Sequence, residues 1–290
     1  MTGPRYDILA LDIDGTLLTS EKRLLERDVR AIRAASAAGV HVVLATARPP
    51  RSTRPILEAL GLLNAPSVTI NYNGALVWRH ETSSRGAHIE HLPLEPILTQ
   101  DAVRAARKID PKVLVWIEIL DKWYTDNAVP DFGPEHLEET EGTLIGTETS
   151  KTFAPDEIGH LDAFLRVPAT KVMFLAPPSR LTPIREAMEL RYAREGRLAC
   201  KVSDAHLFSI CHAHADKSLA LRQVAHRLAV PRERVLAIGD APNDAGMLRW
   251  AGRGLAVSNA WPEARDAAHA VLTLTNDQSA VAHAIETELL

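Results

Sequence analysis

The stretch I-L-A-L-D-I-D-G-T, residues 8–16, joins an apolar run directly to two carboxylates. An apolar run without polar alternation is typical of a strand that is buried on both faces of a parallel sheet. Asp12 and Asp14 follow at the carboxyl end of this strand, where residues two apart point the same way. Neighbouring acids repel each other unless a cation or a shared proton neutralises them, so the stretch predicts a bound metal ion. Taken alone, the same letters also fit a polar turn that closes a strand.

The chain beyond this stretch alternates between helical and strand patterns with short connections. A second buried strand, 40–45, ends in T-A-R-P (46–49), and a third strand covers 68–71. Helical spacing fills the gaps, over about 24–38 and from residue 50 to about 60. This order predicts a doubly wound parallel sheet, an α/β fold that binds ligands beyond the carboxyl ends of its strands.

From about residue 86 the pattern changes, and it regains its first character only near residue 213. Helix-like and strand-like runs are mixed in this section, and a Glu- and Gly-rich segment, Asp131 to Thr149, shows no clear pattern. The mixture predicts an inserted α+β unit over 86–212. The doubly wound core then comprises 1–85 and 213–290.

Three further polar groups are predicted to lie at the ligand-binding edge of the core sheet. Thr46 ends the second strand, Lys217 begins a helix, and G-D-A-P-N-D (239–244) follows a buried strand over 235–238. Alone, each has an ordinary interpretation, as a strand-end cap, a solvated lysine or a helix N-cap. Their register with the two acids of the opening stretch favours a functional site.

These groups supply the parts that phosphoryl transfer requires. They include a nucleophilic carboxylate, a metal site, and cationic and hydroxyl contacts for a phosphate. The transition state of this reaction spreads negative charge over oxygens that must be neutralised and aligned. The order and spacing of the groups therefore predict an enzyme that transfers a phosphoryl group.

Composition narrows the choice of partner. The chain has 290 residues, 46% of them hydrophobic, and a formal net charge of −4. This balance leaves no electrostatic footprint for nucleic acid or a membrane, so we expect a small, diffusible partner. We expect a monomer or homodimer, and the sequence leaves the choice between them open. No signal peptide or membrane-spanning run is recognisable, so we expect a cytoplasmic protein. Cys200 and Cys211 have no metal-binding spacing and are expected to be reduced.

Six segments carry a resemblance to a known family: D-I-D-G-T-L (12–17), T-A-R (46–48), N-G-A (73–75), D-K-S-L-A-L (216–221), G-D-A-P-N-D-A-G-M-L (239–248) and, more weakly, A-V-S-N-A (256–260). The chain resembles the haloacid dehalogenase (HAD) superfamily, and within it the Cof-type phosphatases with a type IIB cap. The resemblance covers most of the core, whereas the inserted unit matches mainly in position and length. It implies a Rossmann-like core and a cap that sets the choice of a small phosphorylated metabolite as substrate.

The resemblance implies the following catalytic roles. Asp12 attacks the phosphorus and becomes an aspartyl-phosphate, while Asp14 protonates the leaving oxygen and then activates water. Mg²⁺ is held by the Asp12 carboxylate, the backbone carbonyl of Asp14 and Asp240.

The resemblance also implies which groups hold the phosphate. Thr46, the backbone N–H groups of Ile13 and Ala47, Lys217 and Asn243 grip the phosphoryl oxygens. Asp244 orients Lys217 or a metal-bound water.

The sequence departs from the family at two positions. T-A-R stands where T-G-R is frequent, and Ser218 replaces a common glycine. Alanine still offers its N–H, and serine suits a helix start, so we expect activity to survive both changes.

Two rival functions share this constellation. A phosphomutase uses the same aspartyl-phosphate, and a regulatory module binds phosphate without turnover. Asp14 argues against the module, because pure binding requires no acid or base. The physiological substrate is not readable from the sequence.

Several other side chains have open interpretations. Arg48 either reaches a substrate or pairs with an acid, and aromatic strand residues either line the substrate face or pack. A histidine trio lacks an acidic or thiolate partner, so we expect hinge residues rather than a metal site. The aromatic residues are Trp116, Trp123 and Tyr124, and the histidines are His206, His212 and His214.

Overall fold

The computed structural model describes residues 4–63, 67–81, 86–125, 156–159 and 161–290. The segment from Asp131 to Thr149 lies outside the described residues. The chain divides into two compact units. The core unit comprises Met1–Glu90 and Asp216–Leu290, and the inserted unit comprises His91–Ala215.

The described residues form fourteen strands: β1 (Ile8–Leu11), β2 (His41–Ala45), β3 (Ser67–Asn71), β4 (Leu76–His80), β5 (Ala87–His91), β6 (Leu114–Ile119), β7 (Lys122–Thr125), β8 (Glu157–Ile158), β9 (Lys171–Leu175), β10 (Leu198–Asp204), β11 (Leu207–His212), β12 (Val235–Gly239), β13 (Arg253–Ala256) and β14 (Ala270–Val271). They also form nine α-helices: α1 (Glu26–Ala37), α2 (Pro50–Ala59), α3 (Pro96–Ile109), α4 (Leu161–Phe164), α5 (Pro178–Met188), α6 (Lys217–Arg227), α7 (Ala245–Trp250), α8 (Pro262–Ala267) and α9 (Ala280–Ala284).

Strand β1 lies inside the eight-stranded core sheet, whose order is β14-β13-β12-β1-β2-β3-β4-β5. Both neighbours of β1, β12 and β2, pair with it in parallel. Its four residues are fully buried, which explains why the run contains no polar side chain. The parallel strands β12, β1, β2 and β3 end at one edge, where the residues that follow them collect.

The turn after β3 reverses the chain. Asn73 adopts a left-handed conformation with φ of 56°, and β4 pairs antiparallel with β3. Asn and Gly tolerate such backbone angles better than other residues, so the Asn73-Gly74 pair is a suitable turn.

The inserted unit has its own sheet, in the order β10-β11-β9-β6-β7-β8. Val115 and Phe174 on one face share a buried cluster with Ala102 of α3 and Ile184 of α5. The aromatic rings also pack within this unit. Trp116 and Trp123 lie 5.5 Å apart, and Tyr124 stacks on Phe164 at 3.8 Å, centroid to centroid.

None of the helices formed by the described residues has the length and apolar character needed to cross a lipid bilayer. Cys200 and Cys211 are both free thiols.

Candidate active site

Asp12 is anchored at the carboxyl end of the central strand. Its backbone N–H donates to the carbonyl of Ile238, 3.0 Å away, which continues the pairing of β1 with β12. The side chain is buried at the edge that the strand order predicts. The backbone therefore sets the position of this carboxylate.

Lys217 reaches the same edge because of how α6 begins. Asp216 caps the helix, and its Oδ1 accepts from the backbone N–H groups of Ser218 and Leu219. A side chain at Gly74 would overlap the backbone carbonyl of Asp216. Glycine at residue 74 therefore permits the close approach that brings Lys217 into the core.

The ammonium group of Lys217 joins two carboxylates. Its Nζ lies 2.6 Å from Oδ1 of Asp12 and 2.6 Å from Oδ1 of Asp244. All three side chains are buried. Burial alone would lower the pKa of Lys217, but the charges of Asp12 and Asp244 outweigh it and raise the pKa. Lys217 is therefore a fixed cation.

Asp240 is the third buried acid of the site. Its Oδ1 accepts from the hydroxyl of Thr16, 2.8 Å away. Oδ2 of Asp244 accepts from the backbone N–H groups of Asp240 and Ala241, at 3.1 and 3.0 Å. Asp244 therefore bonds Lys217 with one oxygen and closes the loop after β12 with the other.

The acids of this site fit a divalent cation. Ligand oxygens of Asp12, Asp240 and Asp244 lie within 4.8 Å of one another. Burial and the charge of Asp244 raise the pKa of Asp12, and the same two causes raise the pKa of Asp240 to about 6. Three carboxylates face one lysine, so negative charge exceeds positive charge here. Hard cations such as Mg²⁺ prefer carboxylate oxygens, and one would remove the excess.

We expect Gly15→Ala to disturb this acid cluster. Gly15 has a φ of +82°, and a Cβ there would overlap the carboxylate of Asp240. Strain at a positive φ costs about 1–3 kcal/mol, and Asp240 must also move. We expect kcat/KM to fall at least about tenfold in a phosphate-release assay.

Gly39→Ala is the matched control for this prediction. Gly39 has a similar φ of +92°, but a Cβ there meets no atom within 4 Å. It tests backbone strain without a clash and should leave kcat/KM unchanged. Equal losses in the two variants would contradict the role assigned to the space beside Asp240.

The loop after β2 places Thr46, Ala47 and Arg48 at the same edge. The backbone N–H of Arg48 donates to Oγ1 of Thr46 at 3.1 Å, and Thr46 itself is buried. Oγ1 accepts this bond through a lone pair, and its own proton therefore remains available for another acceptor. Ala47 is exposed between them.

Asn243 contacts the turn that follows β3. Its Nδ2 donates to Oδ1 of Asn73 at 2.8 Å, while its own Oδ1 is buried and has no hydrogen-bond partner among the described residues. The unpartnered oxygen can only accept, whereas the second hydrogen of Nδ2 is the part of this amide that could donate to a phosphoryl oxygen.

Asp14 is held by cations of its own. Its Oδ2 accepts from Nε of Arg48, and its Oδ1 accepts from Nη2 of Arg48, both at 2.7 Å. Nζ of Lys22 also donates to Oδ1 at 2.8 Å. Burial alone would raise the pKa of Asp14, but Arg48 and Lys22 outweigh it and hold the pKa well below its usual value. Arg48 thus pairs with an acid, one of the two predicted alternatives.

Hydrogen bonds directly connect several of the predicted site residues: Asp12, Lys217, Asp244 and Asp240. Ile13 lies buried between the two acids of the opening stretch. Sequence reasoning assigned no role to Thr16, Asn73 or Lys22. Thr16 and Asn73 lie within the quoted motifs, so a role at the site could have been predicted for them. No sequence pattern around Lys22 indicates a role for it.

The histidine trio belongs to the inserted unit, and two of its members pack together. His212 and His214 contact each other with ring centroids 5.5 Å apart, and the N–H of His214 donates to Nδ1 of His212 at 3.1 Å. Within the described part of the chain, the acids are the one group of three or more side chains placed to share a metal ion.

Comparison with known proteins identifies the class. Residues 9–285 match the model of the haloacid dehalogenase-like hydrolase family. The chain therefore belongs to the haloacid dehalogenase-like hydrolases. This match confirms the predicted superfamily.

Relatives match nearly the whole length of the chain. The Bacillus subtilis protein YxeH is 31% identical over 287 residues, covering 98% of this chain and 99% of its own. Phosphatase YwpJ of the same species is 29% identical and covers 95% and 97%. A haloacid dehalogenase-like hydrolase from Bacteroides thetaiotaomicron superposes with a TM-score of 0.81 at 25% identity, covering 97% and 98%. The α/β fold class and the assignment as a phosphoric monoester hydrolase are thereby confirmed.

Proposed function

We propose that this phosphatase hydrolyses a small phosphomonoester, in a Mg²⁺-dependent reaction, through an aspartyl-phosphate on Asp12. The observation that carries the proposal is the buried Asp12 carboxylate, bonded to Lys217 and within 4.8 Å of two further acids. Lys217 fixes the Asp12 carboxylate through Oδ1, and the other carboxylate oxygen is the proposed nucleophile. We place the reaction in the cytoplasm, in a monomer or homodimer.

Two balanced steps complete the reaction. An oxygen of Asp12 bonds to phosphorus, the bond to the leaving oxygen breaks, and Asp14 protonates that oxygen. Asp14 then takes a proton from water as the water oxygen attacks phosphorus and the bond to Asp12 breaks. Asp14 has to enter the first step protonated and the second step ionised, and its cation partners favour the ionised form.

Asp12, Asp240 and the backbone carbonyl of Asp14 are the proposed ligands of the metal. When bound, Mg²⁺ supplies positive charge that neutralises phosphoryl oxygens. Lys217, the hydroxyl of Thr46, Asn243 and the backbone N–H groups of Ile13 and Ala47 are the proposed contacts of the phosphoryl group. Asp244 supports the site by orienting Lys217.

Relatives indicate the kind of substrate. YitU of Bacillus subtilis, 26% identical over 275 residues, is named as a 5-amino-6-(5-phospho-D-ribitylamino)uracil phosphatase. A Yersinia enterocolitica relative, 24% identical, is named as an HMP-PP phosphatase. We propose a small phosphorylated metabolite as substrate here too, with the inserted unit, predicted over 86–212, acting as the cap that selects it.

Phosphate release from a panel of metabolites tests this proposal. The panel includes sugar phosphates, nucleotides, flavin mononucleotide and 5-amino-6-(5-phospho-D-ribitylamino)uracil. Turnover that a chelator abolishes and Mg²⁺ restores supports hydrolysis. An isomerised product without free phosphate would indicate a mutase, and binding without turnover would indicate a regulatory module.

The metal should stabilise the protein in a pH-dependent manner. Without metal, the folded protein holds the pKa of Asp240 at about 6, above the usual 3.8, so it binds protons more tightly than the unfolded chain. The stability from this proton is present at low pH and is lost as pH rises through about 6. Mg²⁺ binds the deprotonated carboxylate, so the stability that the metal adds increases as pH rises.

We therefore expect Mg²⁺ at about 100 times its Kd to add about 2.7 kcal/mol near pH 7.5, and much less near pH 5. Urea unfolding with and without metal at each pH provides the measurement. Asp240→Asn should remove most of the difference. A metal-induced gain in stability of equal size at pH 7.5 and pH 5 would contradict the assignment of Asp240 as a metal ligand.

A further inference from the structure

We propose that a buried network of three side chains, His80, Thr69 and Asn71, positions the loop 46–48 for binding the phosphoryl group, an inference that rests on the phosphate contacts of the proposed function. None of the three is proposed to touch the substrate, and therefore all three are positioning residues. Each of these side chains is fully buried, so water does not compete for its hydrogen bonds. Thr69 and Asn71 point to the same face of β3, and His80 lies on the neighbouring strand β4.

Asn71 connects the network to the loop. Its Nδ2 donates to the backbone carbonyl of Arg48 at 2.9 Å, and the N–H of Tyr72 donates to the same carbonyl at 3.3 Å. The N–H of Arg48 in turn donates to Oγ1 of Thr46 at 3.1 Å, which leaves the hydroxyl proton of Thr46 for a phosphoryl oxygen. The bond from Asn71 therefore fixes the residue that orients this hydroxyl.

The direction of each hydrogen bond fixes the amide of Asn71. Thr69 has one hydroxyl proton, which it donates to Oδ1 of Asn71 at 2.6 Å. With Oδ1 held by this hydroxyl, Nδ2 faces the carbonyl of Arg48 as a donor. Rotating the amide by half a turn would bring Oδ1 against that carbonyl, and two acceptors cannot share a hydrogen bond.

His80 completes the network from β4. Because Thr69 has already given its proton away, its Oγ1 must accept from Nε2 of His80, 3.0 Å away. Burial and the charge of Arg54 lower the pKa of His80 to about 4, so the ring is neutral near pH 7 and carries its one proton on Nε2. The hydroxyl of Thr53 lies farther from Nε2, at 3.4 Å, and donates its own proton to the carbonyl of Pro50. His80 therefore holds the hydroxyl of Thr69 in the direction that the network requires.

Removal of the Thr69 hydroxyl should loosen the loop without disturbing the metal site. Thr69→Val exchanges the hydroxyl for a methyl group, so the amide of Asn71 loses the bond that orients it. The proposed metal ligands Asp12 and Asp240 follow other strands, β1 and β12, and in the described part of the chain they share no hydrogen bond with the network. A network that only stabilised the fold would change neither phosphate affinity nor metal affinity in the folded protein.

The test measures three quantities in the whole chain: the Kd of inorganic phosphate with Mg²⁺ present, the Kd of Mg²⁺ alone, and kcat/KM for phosphate release. We expect Thr69→Val to weaken phosphate binding about tenfold and to lower kcat/KM at least as much, because a buried hydrogen bond that orders the loop is lost. The Kd of Mg²⁺ should stay within about twofold of wild type, since independent sites behave additively. Thr69→Ser keeps the hydroxyl and should stay within about threefold of wild type in all three quantities.

A second pair of variants tests the network from its other end. His80→Leu removes the donor to Thr69 and should weaken phosphate binding about fivefold, less than Thr69→Val because this bond is one step farther from the loop. His80→Gln should keep most of the affinity, since the amide of glutamine can donate from nearly the position of Nε2. Urea unfolding shows whether each variant is folded, and the His80 pair decides the test if Thr69→Val is not.

Thr99→Val is the matched control. Thr99 is also fully buried, but its hydroxyl donates to the carbonyl of Glu95, 3.2 Å away in the inserted unit. This variant should leave all three quantities unchanged. Wild-type phosphate affinity in Thr69→Val and His80→Leu, or a loss of Mg²⁺ affinity as large as the loss of phosphate affinity, would overturn the network and leave the phosphatase in place. A wild type that neither binds phosphate with Mg²⁺ nor releases it from an ester would overturn the proposed function and the network together.

Discussion

Asp12→Asn is expected to reduce kcat by about four orders of magnitude or more, because the amide oxygen cannot form the covalent intermediate. The fold should survive the change. Asparagine has nearly the same volume, and its oxygen can still accept from Lys217, which donates to Oδ1 of Asp12 at 2.6 Å. It also removes one negative charge from a crowded group of acids. We expect urea unfolding without metal to show unchanged or increased stability.

Phosphoenzyme trapping gives this prediction a second readout. Wild type mixed with substrate and quenched in acid should gain the mass of one phosphoryl group on the peptide that contains Asp12. Asp12→Asn should gain none. Asp12→Ala serves as a second variant, because alanine cannot deamidate back to aspartate.

Asp28→Asn supplies the matched control for Asp12→Asn. Asp28 is also a buried carboxylate, but it accepts from the backbone N–H of Ala282, 2.7 Å away, outside the site. The control should retain wild-type kcat. An Asp12→Asn variant within about tenfold of wild type would exclude Asp12 as the nucleophile.

Lys217→Met is expected to be the most destabilising single change at the site. It leaves Asp12 and Asp244 buried without their shared ammonium. Breaking a buried ion pair by removing one partner typically costs about 3–5 kcal/mol. Urea unfolding in the presence of a chelator should show a loss of this size, and Mg²⁺ should recover part of it.

A double-mutant cycle isolates the electrostatic part of this loss. Adding Asp244→Asn to Lys217→Met removes one of the stranded charges, so the double variant should be more stable than Lys217→Met alone. A Lys217→Met protein as stable as wild type without metal would contradict the ion-pair network described here.

The parts of the site that the sequence predicted share one physical origin. Asp12, Thr46 and Asp240 each follow a buried parallel strand, and the continuous apolar run of such a strand can be recognised in the local sequence. Once the strand order is known, their meeting at one edge follows. The position of Lys217 could be predicted for a related reason, because this residue begins a helix that Asp216 caps.

The parts that escaped prediction depend on contacts without a local signature. Lys22 takes a φ of 60° where Gly or Asn is usual, so its turn carries no sequence signal. Tyr72, with a φ of 51°, is equally unusual and lies just before the Asn73-Gly74 turn. The bond from Thr16 to Asp240 joins residues 224 apart. Only the folded sheet brings such partners together.

The separation of Asp12 from Lys217 has a consequence for biosynthesis. The two residues are 205 positions apart, and the strand that flanks β1 on one side is β12, near the far end of the chain. During translation the nascent protein therefore exposes an unpaired strand edge and an uncompensated acid until Lys217 and β12 have left the ribosome. Long-range pairing of this kind delays folding and leaves intermediates open to aggregation, so newly made molecules gain a working centre only after these distant segments have been made.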